Sequence, residues 1–400
     1  MKQSVGEFSR DVRPVLAVEV HRDTASLKDD WRDFQHEAAG GPHDSWEWND
    51  AWLQTAGHDD DAHIAVGRDA SNRIVLILPL AIRKRCGCRV LEWLASEQGN
   101  YSSGLFLPAA WDSPALPRDK ALLELILNAL PEVDAVHLDK QPASIDGFAS
   151  PLAGLSSISE ASPGHCFPVG KDWEDHYRKQ FAPRARAKLR RSESRLCEGN
   201  GATFETIKGA DAKCRYTEDA IAQKAEFFAE RGIADCFQAS GVKAFFRHIA
   251  RLPENGSDLS TRIFVCRKDD ELLAAKMGVV YKDVFYGIIS STTTKPIRRF
   301  GPGSILFKNS VAFISREGIR TLDCGAGEDV TKQKWCTEQR ERMHLVAPVT
   351  ARGRVYTAML RAALKAKLFI KNNPGFWERY KRARQRFSSL QRRSAASAEA

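Results

Sequence analysis

Arg298-Arg299-Phe300-Gly301-Pro302-Gly303-Ser304 is the stretch on which the fold turns. It separates an apolar run, Val284 to Ser290, from a segment that repeats Phe307, Val311 and Ile314 at helical spacing. A strand, a glycine-rich turn and a helix in that order form a ready anion site. The first amides of a helix have no intrahelical partner, and the helix dipole is positive there. Glycine lets the backbone approach a phosphate closely. Arg298 and Arg299 add charge-assisted donors, and Ser304 can cap the helix or bond a phosphate oxygen. By itself Gly-Pro-Gly marks only a turn, so the flanking elements carry the reading.

Those elements extend in both directions. Upstream, Arg262–Cys266, Leu272–Tyr281 and Val284–Ser290 read as three strands separated by Asp269-Asp270 and Lys282-Asp283 turns. Helices are expected over Thr217–Arg231 and Ser240–Leu252. Downstream, the helix Ser304–Arg316 stops at Gly318, and Ile319–Cys324 is a last strand. The first half repeats the order: helices at Leu27–Ala38 and Ser45–Ala56, strands at His63–Arg68, Arg73–Arg83 and Arg89–Leu94, a helix at Lys120–Leu130 and a strand at Val133–Asp139. A Ser-, Ala-, Gly- and Pro-rich linker, Pro142–Pro163, joins the halves. The expected fold class is α/β, an α+β arrangement with a mixed sheet, built as two tandem modules of order α-α-β-β-β-loop-α-β. The expected domains are 1–165, 166–345 and a tail, 346–400.

Composition fits this picture. The chain has 400 residues, more than one hydrophobic core usually holds. Its longest apolar run, Ile74–Ile82, is interrupted by Pro79 and falls short of a membrane span. Met1–Pro14 has no apolar stretch, so no secretory signal is expected and the cytosol is the expected compartment. Nine scattered cysteines without a C-x-x-C, and ten histidines without a metal spacing, predict neither disulfides nor a metal. Of the net +9, residues 346–400 carry +11 and the rest −2. The tail is therefore a separate electrostatic object. A helix over 351–371 places Val355, Met359, Ala362, Ala366 and Ile370 along one side, with Phe376, Trp377 and Tyr380 among basic residues beyond. Residues 351–393 suit an anionic membrane surface, on the inner face of the membrane, or a helix packed on the body. Nucleic acid could use the same charge but is the less expected partner. A second basic helix, Tyr177–Gly199, is either a solvated face over a packed stripe or a guide for an anionic substrate or nucleic acid.

The residues also resemble a family. Ile77–Arg85 and Asn100-Tyr101-Ser102 in the first half, with Leu189–Leu196, Gly301–Leu306, and Leu322-Asp323 through Gly327-Glu328 to Lys332 and Trp335 in the second, resemble the cellulose-biosynthesis CelD-like group of GNAT acyltransferases. That group is related to the Fem-type peptidoglycan transferases. The resemblance implies tandem GNAT modules with cofactor bound by the second, and a role in polysaccharide biosynthesis. It implies acetyl-CoA or another acyl-CoA as cosubstrate, an N-acyltransferase activity, and a small amine or saccharide acceptor. A Fem-like transferase using aminoacyl-tRNA, or a scaffold without activity, would share the fold. Arg298, Arg299, Gly301, Gly303 and Ser304 would hold the pyrophosphate. Glu328 and Asp323 are candidate bases, Lys332 a phosphate or carboxylate partner, and Tyr101 and Tyr286 candidate substrate contacts. Where the family often has Tyr before that lysine, this chain has Thr331, which cannot act as a phenolic acid. The first half's loop, Ala95–Arg118, has Gly99 and Gly104 but no such Arg-Gly pattern, so CoA is not expected there. An acyl-cysteine route at Cys324 would need an activating base, and no histidine lies near it in sequence.

Overall fold

The computed structural model describes residues 16–57, 61–111, 116–254, 257–327 and 329–382. The first half contains β1 (Leu16–His21), α1 (Lys28–Glu37), α2 (Trp46–Thr55), β2 (Ala62–Asp69), β3 (Ile74–Arg85), β4 (Cys88–Trp93), β5 (Leu105–Phe106), α3 (Pro108–Trp111), α4 (Asp119–Ala129), β6 (Ala135–Pro142) and β7 (Ile158–Ser159). The second contains β8 (Gly164–Pro168), α5 (Trp173–Gln180), α6 (Pro183–Cys197), β9 (Thr203–Ile207), α7 (Ala210–Glu230), α8 (Val242–Arg251), β10 (Leu259–Lys268), β11 (Glu271–Tyr281), β12 (Val284–Thr292), α9 (Pro302–Arg316), β13 (Thr321–Ala326), α10 (Val330–Trp335), β14 (Glu338–Arg340), β15 (Arg342–Pro348) and α11 (Ala351–Asn372).

The two sheets repeat one another. The first runs β1-β2-β3-β4-β6-β15-β7, with β5 paired to β3; the second, read from its other edge, runs β9-β10-β11-β12-β13-β8-β14. In each, the single parallel contact joins the third hairpin strand to the strand after the helix, at β4–β6 and β12–β13. β15, from the end of the second half, is the sixth strand of the first sheet beside β6, and β8, at the junction of the halves, is the sixth strand of the second beside β13. The expected boundaries at 165 and 345 therefore fall inside these two strands. Ser157 and Glu160 of the expected linker donate backbone bonds to His344 and Arg342, which tethers it to β15.

Local chemistry explains most elements. β3 is buried from Ile74 to Ala81 because both its faces are covered, so its sequence reads as an unbroken apolar run. The basic helix expected over Tyr177–Gly199 is two helices. Pro183 occupies the first position of α6, and the preceding Ala182 takes an extended ψ of 150°, as a residue before proline prefers. One hydrophobic core runs across both halves, from Trp31 and Trp48 to Phe245 and Tyr281. Trp48 and Trp52 meet Phe245 edge-on at 4.9 and 5.4 Å. At Gly241 a Cβ would collide with the Thr55 carbonyl, so α2 and α8 pack as closely as glycine permits. A second core lies on the far side of the second sheet, where α5, α6, α9 and α10 gather Phe167, Tyr177, Phe307 and Trp335.

Candidate active site

β12 and β13 pair over only three residues, Val284–Tyr286 with Thr321–Asp323. Beyond them β12 continues along β11 and β13 along β8, and the sheet opens. A cleft of about 490 Å³ occupies the opening. Its walls include Gly287, Ile288, Ser290 and Thr292 of β12, Cys324 and Ala326 of β13, and Gly303 and Phe307 of α9. Ile288 is the extra residue of a bulge, since Met277 faces Ile289 and Gly278 faces Gly287. Such a bulge interrupts the ladder and re-aims groups beside a site.

The helix N-terminus forms one end. Gly301 takes a left-handed conformation, φ 72° and ψ 46°, which glycine adopts without strain and which turns the chain into α9. Ser304 and Ile305 return their amides to the Gly301 carbonyl, and Pro302 has no N–H. Gly303 is thus the first-turn residue whose amide is left for a ligand, and it lines the cleft. The Ser304 side chain is exposed and does not cap the helix. Arg298 lies 5.6 Å from the Phe227 ring, and Arg231 covers the same ring at 3.8 Å. Both guanidinium groups therefore stand at this end. Arg299 stacks over Phe300 at 4.9 Å.

The interior is cationic. Lys224, Lys276 and Lys332 line it together with Arg231, and among the described residues Asp329 is the one carboxylate that does. Asp329 is engaged as the N-cap of α10, accepting from the Lys332 amide. Lys332 donates to the carbonyls of Gly325 and Ala326 at 3.1 and 2.6 Å. Lys224 donates to the Ser290 carbonyl at 3.2 Å. Burial pushes the ammonium pKa values of Lys224 and Lys332 below the usual lysine range. Lys276 is only 5% exposed; its ammonium lies 4.7 Å from the Phe307 ring centre, and no described carboxylate reaches it. The signal for it was present: a lysine set between Ala275 and Met277 in an otherwise apolar strand.

Asp323 lies on the opposite face of β13 from Cys324, because successive strand residues point to opposite sides. It is fully buried against the first half. There it accepts from the Tyr101 hydroxyl at 2.9 Å and the Gly325 amide at 2.7 Å, with Arg340 at 3.4 Å. Burial raises its carboxyl pKa, and Arg340 opposes that rise. Burial likewise raises the phenols of Tyr101 and Tyr286, which both sense Asp323. The structure thus brings Tyr101, Tyr286 and Asp323 together, but behind the cleft wall. Asn100, beside Tyr101, does reach the cleft: its side chain accepts from the Ala326 amide at 3.3 Å. Glu328 lies outside the described residues. Among the described residues no cluster of side chains suits a metal.

Residues 183–333 match the family model of the acetyltransferase (GNAT) domain. The second half thus carries a GNAT-type acetyltransferase domain. No curated protein sequence matches it. Among solved structures it is similar to FemX, with a TM-score of 0.52, 11% identity, and coverage of 80% of this chain and 95% of that one. It is also similar to the C-terminal domain of a protein assigned as a lysylphosphatidylglycerol synthetase from Agrobacterium fabrum, with a TM-score of 0.50, 13% identity, and coverage of 86% and 97%. These likenesses show a shared fold.

Proposed function

We propose that the chain transfers an acyl group from acyl-CoA, acetyl-CoA in the first instance, to the primary amine of a small acceptor such as an amino sugar or saccharide precursor. The opening between β12 and β13 carries this reading, with the free Gly303 amide and the Arg231 and Arg298 guanidinium groups at one end. Pyrophosphate suits that end, and the pantetheine arm suits the walls. The thioester then reaches the bulge at Ile288 and the sulfur of Cys324. The reaction needs a neutral amine and a stabilised leaving thiolate. Neighbouring ammonium groups disfavour a charged amine, so the cationic interior holds the acceptor in its reactive form without a carboxylate base. The same cations stabilise the departing thiolate, and Lys332 can protonate it. Calorimetric titration with acetyl-CoA tests the reading: stoichiometric binding that is lost in Gly303→Val is expected, and no binding by the intact chain would overturn it.

The similarity to FemX and to the lysylphosphatidylglycerol synthetase domain supports a second reading, transfer of an aminoacyl group from charged tRNA. The exposed Arg184, Lys188, Arg190, Arg191 and Arg195 of α6 would serve as its landing surface. Competition of a tRNA for acetyl-CoA binding distinguishes the two. The same proposal places the chain peripherally on an anionic membrane. α11 exposes Val355, Met359 and Phe369, and Phe376 and Tyr380 beyond it are exposed as well. Arg354, Lys365 and Lys367 are exposed on α11, and Arg379 and Arg382 follow it. The described residues contain no helix long and apolar enough to cross a membrane.

A further inference from the structure

We propose that Cys324 is a covalent nucleophile that carries the acyl group between acyl-CoA and the acceptor. The inference rests on the acyl-CoA reading above and adds an intermediate to it.

Three observations converge on this sulfur. Cys324 is on the cleft face of β13, whereas the neighbouring Asp323 carboxylate is turned away into the interface between halves. Its surroundings are cationic. Lys276 borders Gly287, whose added Cβ would lie 3.1 Å from the ammonium and 3.3 Å from the Asp323 carbonyl, so the ammonium sits beside the start of the Cys324 segment. Lys332 holds the carbonyls of the next two residues. Lys276 is buried without a carboxylate, which is costly for a charge unless an anion stands nearby. Asp329, the carboxylate of the described cleft, is engaged as the cap of α10, and a thiolate at Cys324 is the anion that stands by Lys276. Finally, the Cys336 thiol neighbours the Cys324 sulfur as a donor.

The thiols respond accordingly. The hydrogen bond from Cys336 holds the Cys324 thiol below the ordinary cysteine range; burial opposes this and Lys276 assists it. Cys266, buried without a neighbouring cation, is pushed up to about 12 by burial, and so is Cys166, where burial outweighs Arg340. A histidine is therefore not required: lysines distant in sequence take its place.

The chemistry balances without a redox partner. The Cys324 thiolate attacks the thioester carbonyl; a C–S bond to Cys324 forms, the C–S bond to CoA breaks, and CoA leaves as a thiolate that a cleft lysine protonates. The acceptor nitrogen then attacks acyl-Cys324. An N–C bond forms, the bond to Cys324 breaks with its electron pair returning to sulfur, and the surplus amine proton passes to the neutral lysine.

The test uses the full chain with acetyl-CoA and no acceptor. One CoA released per chain is expected, followed chromatographically. The tryptic peptide Thr321–Lys332, in which Cys324 is the sole cysteine, should gain one acetyl group that hydroxylamine removes. Cys324→Ala should lose both signals while still binding acetyl-CoA by calorimetry, and Cys336→Ser, which keeps a donor, should retain acetylation. With acceptor, parallel initial-velocity lines are expected. Acetyl-CoA binding without CoA release, acetylation at another residue, or unchanged turnover in both Cys324→Ala and Cys324→Ser would overturn the proposal and leave the acyl-CoA reading standing. Failure of the intact chain to bind acetyl-CoA would overturn both.

Discussion

The two halves place the same opening in the same sheet and use it differently. In the second half the gap between β12 and β13 is a cleft lined by cations and a thiol. In the first half, the segment after β4 runs back across the corresponding gap. Ser102 donates to the Lys140 carbonyl of β6 at 3.2 Å, and the Lys140 ammonium binds the carbonyls of Ser96 and Gly99. That loop continues into the other half, where Asn100 walls the cleft and Tyr101 supports Asp323. The first half has filled its own site with the chain that builds its neighbour's. A duplicated fold thus leaves one copy free to become scaffold, provided its loop is stitched at both ends.

Glycines give the sharpest way to break this comparison. Gly104 has φ 70°, and a Cβ there would meet the Ile77 carbonyl at 2.8 Å as well as the Leu78 side chain. Gly104→Val is expected to lose ~3 kcal/mol or more of stability in denaturant unfolding. At Gly303 a Cβ would be 3.5 Å from Thr292, an ordinary contact. Gly303→Val should unfold within ~0.5 kcal/mol of the parent yet bind acetyl-CoA at least about tenfold more weakly. If Gly303→Val destabilises as much as Gly104→Val, both loops are structural and the contrast fails.

Removing the stitch is the next largest effect. Tyr101→Phe takes one donor from the buried Asp323 carboxylate, leaving the Gly325 amide and Arg340. A loss of about 2 kcal/mol is expected. Combined with Asp323→Asn, the loss should be smaller than the sum of the single losses; strict additivity would mean that the two side chains do not interact.

The exchanged strand β15 offers a pH test. The Glu160 side chain is largely buried, which opposes its ionisation, but hydrogen bonds from His344 and Lys367 outweigh burial and hold it well below the usual carboxylate range. Its folded pKa is thus lower than its unfolded one, near 4.3. Its stabilisation is present above that value and disappears as pH falls through the folded one. Glu160→Gln should therefore be less stable than the parent at pH 7, by about 2 kcal/mol, with the gap closing in acid. A gap that stays constant between neutral and acid pH would remove this ion pair from the account of strand exchange.

The smallest effect concerns the tail. The start of α11 is part of the body: Gly353 packs against the Asp134 carbonyl too closely for a Cβ, and Arg352 pairs with Asp134 at 3.0 Å. A chain ending at Leu345 would sever β15, so the membrane reading is better tested by substitution. Replacing Lys365, Arg379 and Arg382 with glutamine should reduce sedimentation with anionic vesicles, by ~1 kcal/mol per charge at low salt. Equal sedimentation of parent and variant would detach the tail from localisation.

Element order was legible because periodicity is local: β3 read as an apolar run, and Phe307, Val311 and Ile314 marked α9. The turn glycines placed the helix start at Ser304, two residues late, since α9 begins at Pro302. β1 and β9, which precede the helices in each half, escaped, because a five- or six-residue edge strand with mixed polarity carries little pattern. Of the cleft's lysines only Lys332 was legible; Lys224 and Lys276 escaped, because the three sit on elements spread over more than a hundred residues.

The sequence by itself determined two tandem modules, an arginine- and glycine-rich loop before the helix in only the second, and a basic tail, since each depends on residues close together along the chain. Tertiary structure alone decided that β15 joins the first sheet, that Asp323 faces the interface while Cys324 faces the cleft, and that lysines from three elements line that cleft. Strand alternation dictates that neighbouring residues point to opposite sides, but which side becomes a site depends on what packs there. That packing is set by pairings such as Tyr101 with Asp323, which no local pattern records.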